Sequence, residues 1–157
     1  MLTGTSDDLV GHGTHVAGII SAKGNNGIGL TGLAWGTKVM PLRVFGEEGG
    51  AYWWCIQQAL LYAADSGVDV VNLSLGNDYD DPREGNAVAY ALSKGVVVVA
   101  SAGNCGDPRS YLLNGCRTLS PPGYPASYPG VIAVAAVGDD SKRAAYSSYG
   151  PNIVVDH

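Results

Sequence analysis

The chain has 157 residues, enough for one domain with a core of its own and too few to expect two. Apolar types make up 46% and charged types only 15%, while 23 glycines is about twice ordinary usage, so the composition fits a buried, turn-rich chain and excludes a disordered or fibrous one. Nine Lys plus Arg against fourteen Asp plus Glu give a formal charge of -5 with no basic cluster, which disfavours a nucleic-acid partner.

No apolar stretch is long enough to span a membrane, and Met1 to Asp8 carry neither the basic flank nor the apolar core of a signal peptide. Neither a membrane partner nor a leader is therefore expected in these residues. Three cysteines are too sparse for a disulfide scaffold, and none has zinc-site spacing. Cys105 and Cys116 flank a Gly/Pro-containing loop and can either close one local bridge or remain thiols; Cys55 reads as a buried thiol.

In chain order, Gly11-His12-Gly13-Thr14-His15 reads as a glycine-rich turn opening a helix that continues through Val16 to Ile20. Lys38 to Val44 reads as a short strand despite Pro41. A helix is predicted from about Trp53 to Ser66, with Ile56, Leu60, Ala63 and Ala64 on its core face and Gly67 as its stop. Val68 to Leu73 follows as a strand, and Pro82 to Ser93 as a helix that closes before Gly95. The β-branched run Val96 to Ala100 predicts a strand covered on both faces, and Val131 to Ala135 another buried strand. This alternation predicts right-handed crossovers and a mainly parallel sheet between helices. Function is then expected in the loops leaving the strand ends, Ser74-Leu75-Gly76 and Ser101-Ala102-Gly103-Asn104.

His12 and His15 stand three residues apart at a helix start, which leaves two chemistries open. A zinc pair on a helix uses a spacing of four with an intervening Glu, which is missing here; a single base with a structural neighbour needs neither. Helix amides nearby favour a neutral imidazole, and His15 reads as the structural one. Asn104, just past an apolar strand, can hold an amide toward an oxygen that becomes negative in acyl transfer, or can simply serve the turn.

Taken together, Gly-His-Gly-Thr-His-Val-Ala-Gly at 11 to 18, Val-Asn-Leu-Ser-Leu-Gly at 71 to 76, Ala-Gly-Asn at 102 to 104 and Gly-Tyr-Pro-Ala-Ser-Tyr-Pro-Gly-Val-Ile-Ala-Val at 123 to 134 resemble the subtilisin-like serine peptidases in order and content. The resemblance implies a three-layer α/β fold, incomplete at both ends, with residues 1 to 157 forming part of one peptidase domain. It makes His12 the general base and Asn104 the oxyanion donor, brought to opposite sides of one substrate carbonyl. Ser74, Leu75 and Gly76 would pair with an extended polypeptide substrate, Ala102 and Gly103 would wall the primary side-chain pocket, and Gly123 would form a base roomy enough for a large apolar side chain. Trp53, with Trp54, falls near a second apolar pocket, and the Glu47-Glu48 loop resembles a flexible substrate-binding edge.

Gly24 to Leu30 resembles the calcium loop of the same family, with Asn26 offering its side chain and Ile28 and Leu30 their carbonyls; a metal-free Asn/Gly hairpin is the alternative. The resemblance also implies secretion and a propeptide or protein inhibitor as a partner. The family carries its triad aspartate upstream of the histidine and its serine in a downstream Gly-Thr-Ser-Met-Ala segment. Neither is expected here: Asp7 and Asp8 are not assigned as the triad acid, and Gly4-Thr5-Ser6, Ser74, Ser101, Ser147, Ser148 and His157 have no nucleophile or triad role. The expectation is a serine endopeptidase fragment, inactive alone; a noncatalytic peptide-binding relative and a purely structural piece are the alternatives.

Overall fold

A computed structural model describes residues 7–109, 116, 121–150 and 153–154. The Gly4-Thr5-Ser6 segment and His157 lie outside the described residues. The chain divides into two compact units, Met1–Ile56 and Gln57–His157.

The first unit holds helix α1, His12–Ser21, and the opening turn of α2, Trp53–Asp65. The chain enters α1 through Gly11 at φ 83, a left-handed conformation in which a Cβ would be strained. Asp8 completes this helix start: its Oδ1 accepts the Val10 and Gly11 N–H groups at 3.1 and 2.9 Å, and its Oδ2 accepts that of Thr14 at 2.7 Å. Those amides, Thr14 first, hold the Asp8 carboxyl down at about 2. The strand predicted at Lys38 to Val44 does not form. The described residues give it no ladder partner, and strand propensity is realised only through pairing; a single bridge, Phe45 to Ala51, is all the pairing nearby. Cys55 is half-buried rather than buried, because it sits in the first turn of α2 before the core stripe begins at Ile56.

In the second unit, α2 turns Leu60, Ala63 and Ala64 inward, as its spacing predicts, and Ala59 beside them. Four strands follow, β1 (Val70–Leu73), β2 (Val97–Ser101), β3 (Ile132–Val134) and β4 (Ile153–Val154), all parallel and in sheet order β1-β2-β3-β4. Helix α3, Pro82–Ser93, is the crossover from β1 to β2 and packs against β2. Its start is set by Pro82 and by Asp81, whose carboxylate accepts the Arg83 N–H and the Arg83 guanidinium. The pairing with Arg83 holds Asp81 down at about 2.

The expectation that the 96–100 strand is covered on both faces needs correction. Val98 and Ala100 are fully buried and Ala133 joins them, but the register places Val97, Ile132 and Val134 on the opposite face, 42 to 46% exposed. An apolar run in sequence records the demand for cover, not its supply within the folded unit. Strand β4, only two residues long, is too short for any sequence pattern to mark. No helix among the described residues is long and apolar enough to cross a membrane.

Candidate active site

The ends of β1 and β2 open into a cleft of about 370 Å³, as parallel-sheet topology leads one to expect. Ser74, Leu75 and Gly76 line it after β1; Ala102, Gly103 and Asn104 line it after β2; Gly123 completes it. Seven positions that the sequence singles out therefore meet in one groove of the second unit. His12, Trp53 and the Asn26 loop belong to the first unit.

The two walls are joined at several levels. Asn77 and Tyr124 exchange N–H to carbonyl bonds at 2.9 and 2.8 Å, the Gly123 N–H donates to the Ala102 carbonyl at 3.1 Å, and the Ser101 hydroxyl reaches the Leu75 carbonyl at 3.4 Å. Gly103 adopts φ 107, and a Cβ there would come within 3.1 Å of Ser148 Oγ. Asn104 is exposed at this wall's end. The glycine at 123 meets a packing demand as well, beside the expected one of leaving room for a ligand. A Cβ there would lie 2.5 Å from the Asn77 carbonyl oxygen, so the backbones approach too closely for any side chain.

Ser147 and Ser148 are both 1% exposed and structurally engaged. Ser147 Oγ accepts the Ala136 N–H and Ser148 Oγ accepts the Cys105 N–H. The Cys105 and Cys116 bridge is formed, with an S–S distance of 2.01 Å.

In the first unit His12 is exposed in the opening turn of α1, with its ring edge-on to Phe45 at 5.9 Å, and His15 is also exposed. Trp53 is half-buried at the start of α2, beside Tyr52 and Trp54, whose rings stack at 6.0 Å. Residues Lys23 to Thr31 curl around a hollow of about 210 Å³. Asn26 Oδ1 already accepts the Ile28 N–H at 3.0 Å, which fixes the loop as an Asx turn. With the Ile28 and Leu30 carbonyls this donor set offers three neutral oxygens and no carboxylate, where calcium takes six to eight; it fits part of a calcium shell. No cluster of three or more His, Cys, Asp or Glu suited to a metal occurs among the described residues.

Sequence reasoning misses the part that two charged residues play in these elements. Asp8, which the sequence leaves unassigned, holds the first turn of α1 through the Thr14 N–H; an acidic residue just ahead of a glycine-rich helix start is the available signal. Glu84 is 1% exposed, with neither carboxylate oxygen in a hydrogen bond. Its signal is its place on the apolar stripe of α3, in step with Ala87, Val88 and Ala91.

Residues 3–156 match the model of the subtilase family, Peptidase_S8. The thermophilic serine proteinase of Bacillus sp. strain AK1 is 44% identical over 143 residues, 91% of this chain and 33% of that protein; thermitase of Thermoactinomyces vulgaris is 39% identical, over 89% of this chain and 46% of its own length. Among solved structures, sphericase superposes with a TM-score of 0.71 at 33% identity, over 85% of this chain and 43% of its own. A protease of Pseudoalteromonas arctica PAMC 21717 gives 0.73 at 36%, over 88% and 40%. The chain spans half or less of the length of these relatives. With helices and a parallel sheet in the order its motifs imply, this chain belongs to the subtilase family of serine peptidases.

Proposed function

We propose that these residues supply the substrate groove, general base and oxyanion donor of a serine endopeptidase that cleaves internal peptide bonds through an acyl-enzyme. The observation that supports this most is the cleft at the ends of β1 and β2, in which Ser74 to Gly76 and Ala102 to Asn104 face a common space. An extended polypeptide lies along these exposed main-chain edges, and a propeptide or protein inhibitor enters by the same route. Asn104 donates to the developing oxyanion, and His12 takes the serine proton and returns it to the leaving amine. The 157 residues contain no Gly-Thr-Ser-Met-Ala segment, so this chain alone has no nucleophile of that kind.

The test has two arms. A fluorophosphonate is expected to leave the 157-residue chain without a covalent adduct, read by intact mass; labelling at a serine would overturn that expectation. In a longer form that also carries the family's acid and serine segments, Asn104→Ala is expected to lower kcat by about 10²- to 10³-fold with KM little changed, a magnitude established in the subtilisins themselves. An unchanged kcat would remove Asn104 from the oxyanion role.

Calcium is proposed at the Asn26 loop, where the Asn26 side chain and the Ile28 and Leu30 carbonyls would hold part of its shell. The longer form is then expected to unfold at a lower temperature after chelation and to recover on adding calcium; no change in either direction rules the site out. Secretion is supported by the Cys105 and Cys116 bridge, which belongs to an oxidising compartment. Recovery of the protein from the cytoplasm rather than from the medium or another extracytoplasmic fraction would contradict it.

A further inference from the structure

Immediately after Asn104 the chain reaches Cys105, bridged to Cys116 with their Cα atoms 5.8 Å apart, and both half-cystines line the cleft. Cys116 is 5% exposed, so the bridge is wall rather than surface ornament. The 102–105 segment is held at two further points. The Gly123 N–H donates to the Ala102 carbonyl at 3.1 Å, and Ser148 receives the Cys105 N–H on its hydroxyl while donating its own N–H to the Gly103 carbonyl. The disulfide adds the covalent fastening of this wall, at the end nearest Asn104.

We propose that the Cys105 and Cys116 disulfide is a specificity-determining wall of the cleft, selecting peptides with a large apolar side chain at the position the cleft receives. The proposal rests on the cleft being a peptide side-chain site, and deepens that reading. A disulfide carries no charge and demands no hydrogen bond, and divalent sulfur is soft and polarisable, a surface suited to aliphatic and aromatic groups. A fastened wall is also preorganised: a large side chain that reaches it incurs little ordering cost. Without the fastening, residues 105 and 116 are joined only through the chain between them, and a large side chain must order that wall on binding. A methyl group that does not reach the wall is indifferent to it.

The test uses two N-acetyl tetrapeptide amides, identical except for Phe or Ala at the last residue, titrated into the isotopically labelled 157-residue chain by NMR. In the native chain the Phe peptide is expected to bind about tenfold more tightly than the Ala peptide. It should shift the Cys105 and Cys116 signals together with those of Gly76 and Gly103. In the double variant Cys105→Ala, Cys116→Ala the Phe-to-Ala affinity ratio is expected to fall toward one, with Ala-peptide affinity held. An unchanged ratio, or an equal loss for both peptides, reduces the bridge to a structural staple and overturns the proposal. Should the double variant not fold, the native chain decides: a Phe peptide that shifts Gly76 and Gly103 but neither cysteine overturns it as well. No saturable shift of the cleft residues with either peptide would instead sink the peptide-groove reading beneath it.

Discussion

Replacing Glu84 by Leu is expected to stabilise the chain above neutral pH by about 1–3 kcal/mol, the usual cost of a buried polar group left without a partner, whereas Gln keeps a buried polar group and removes only the pH dependence. Glu84 is 1% exposed and neither oxygen closes a hydrogen bond. Burial pushes its carboxyl above the ordinary glutamate range and the Asp81 charge adds to this; the nearby Tyr128 hydroxyl and Asn77 side chain pull the other way, and Asp80 contributes a further small push upward. Asp81, one turn away and paired with Arg83, is driven in the opposite direction. The folded chain therefore keeps a proton on Glu84 that the unfolded chain releases once pH exceeds the ordinary glutamate range. Over that window the folded state binds more protons, so stability falls as pH rises toward the elevated value and is flat above it. Urea midpoints measured between about pH 5 and 8 should slope downward for the native chain and less so for either variant. Equal slopes would mean that Glu84 finds partners the fold does not reveal.

Gly123→Ala is expected to cost about 1–3 kcal/mol, the range for overpacking, and to abolish peptide binding in the cleft. Its Cβ would meet the Asn77 carbonyl oxygen at 2.5 Å and the Asn77 carbonyl carbon at 3.4 Å, both main-chain atoms held by the exchange of hydrogen bonds with Tyr124. Nothing flexible is there to yield, so the cleft wall must move. Gly50→Ala, where a Cβ meets nothing within 4 Å, is the matched control and should leave binding and urea midpoint unchanged. A stable, peptide-binding Gly123→Ala chain would show that the two backbones are less tightly opposed than described.

Where the sequence is legible, the reason is that local and tertiary demands agree. Pro82 at the head of α3, Gly67 after α2 and the β-branched run before Ala100 each mark an element that the fold uses in that way. The cleft positions are legible through motif order, since the end of a strand fixes where the next residues lie in space. Lys38 to Val44 fails because strand character needs a neighbour, which no local pattern guarantees. Gly123 lines the cleft and its missing side chain also admits the Asn77 carbonyl: a sequence shows that a side chain is missing without showing what occupies its space. Glu84 escapes notice because a carboxylate on an apolar stripe is ordinarily read as the stripe's edge, and only the folded neighbourhood places it inside.

The strand order β1-β2-β3-β4 repeats the order of the sequence, with every pairing parallel. A ribosome delivering this unit from its amino end thus supplies β2, β3 and β4 each after the described strand that precedes it in the ladder has already emerged. None of these four described strands is inserted between two earlier ones. These four strands are thus added at a single advancing margin during synthesis, so an interruption among them would leave a shorter ladder rather than a gapped one.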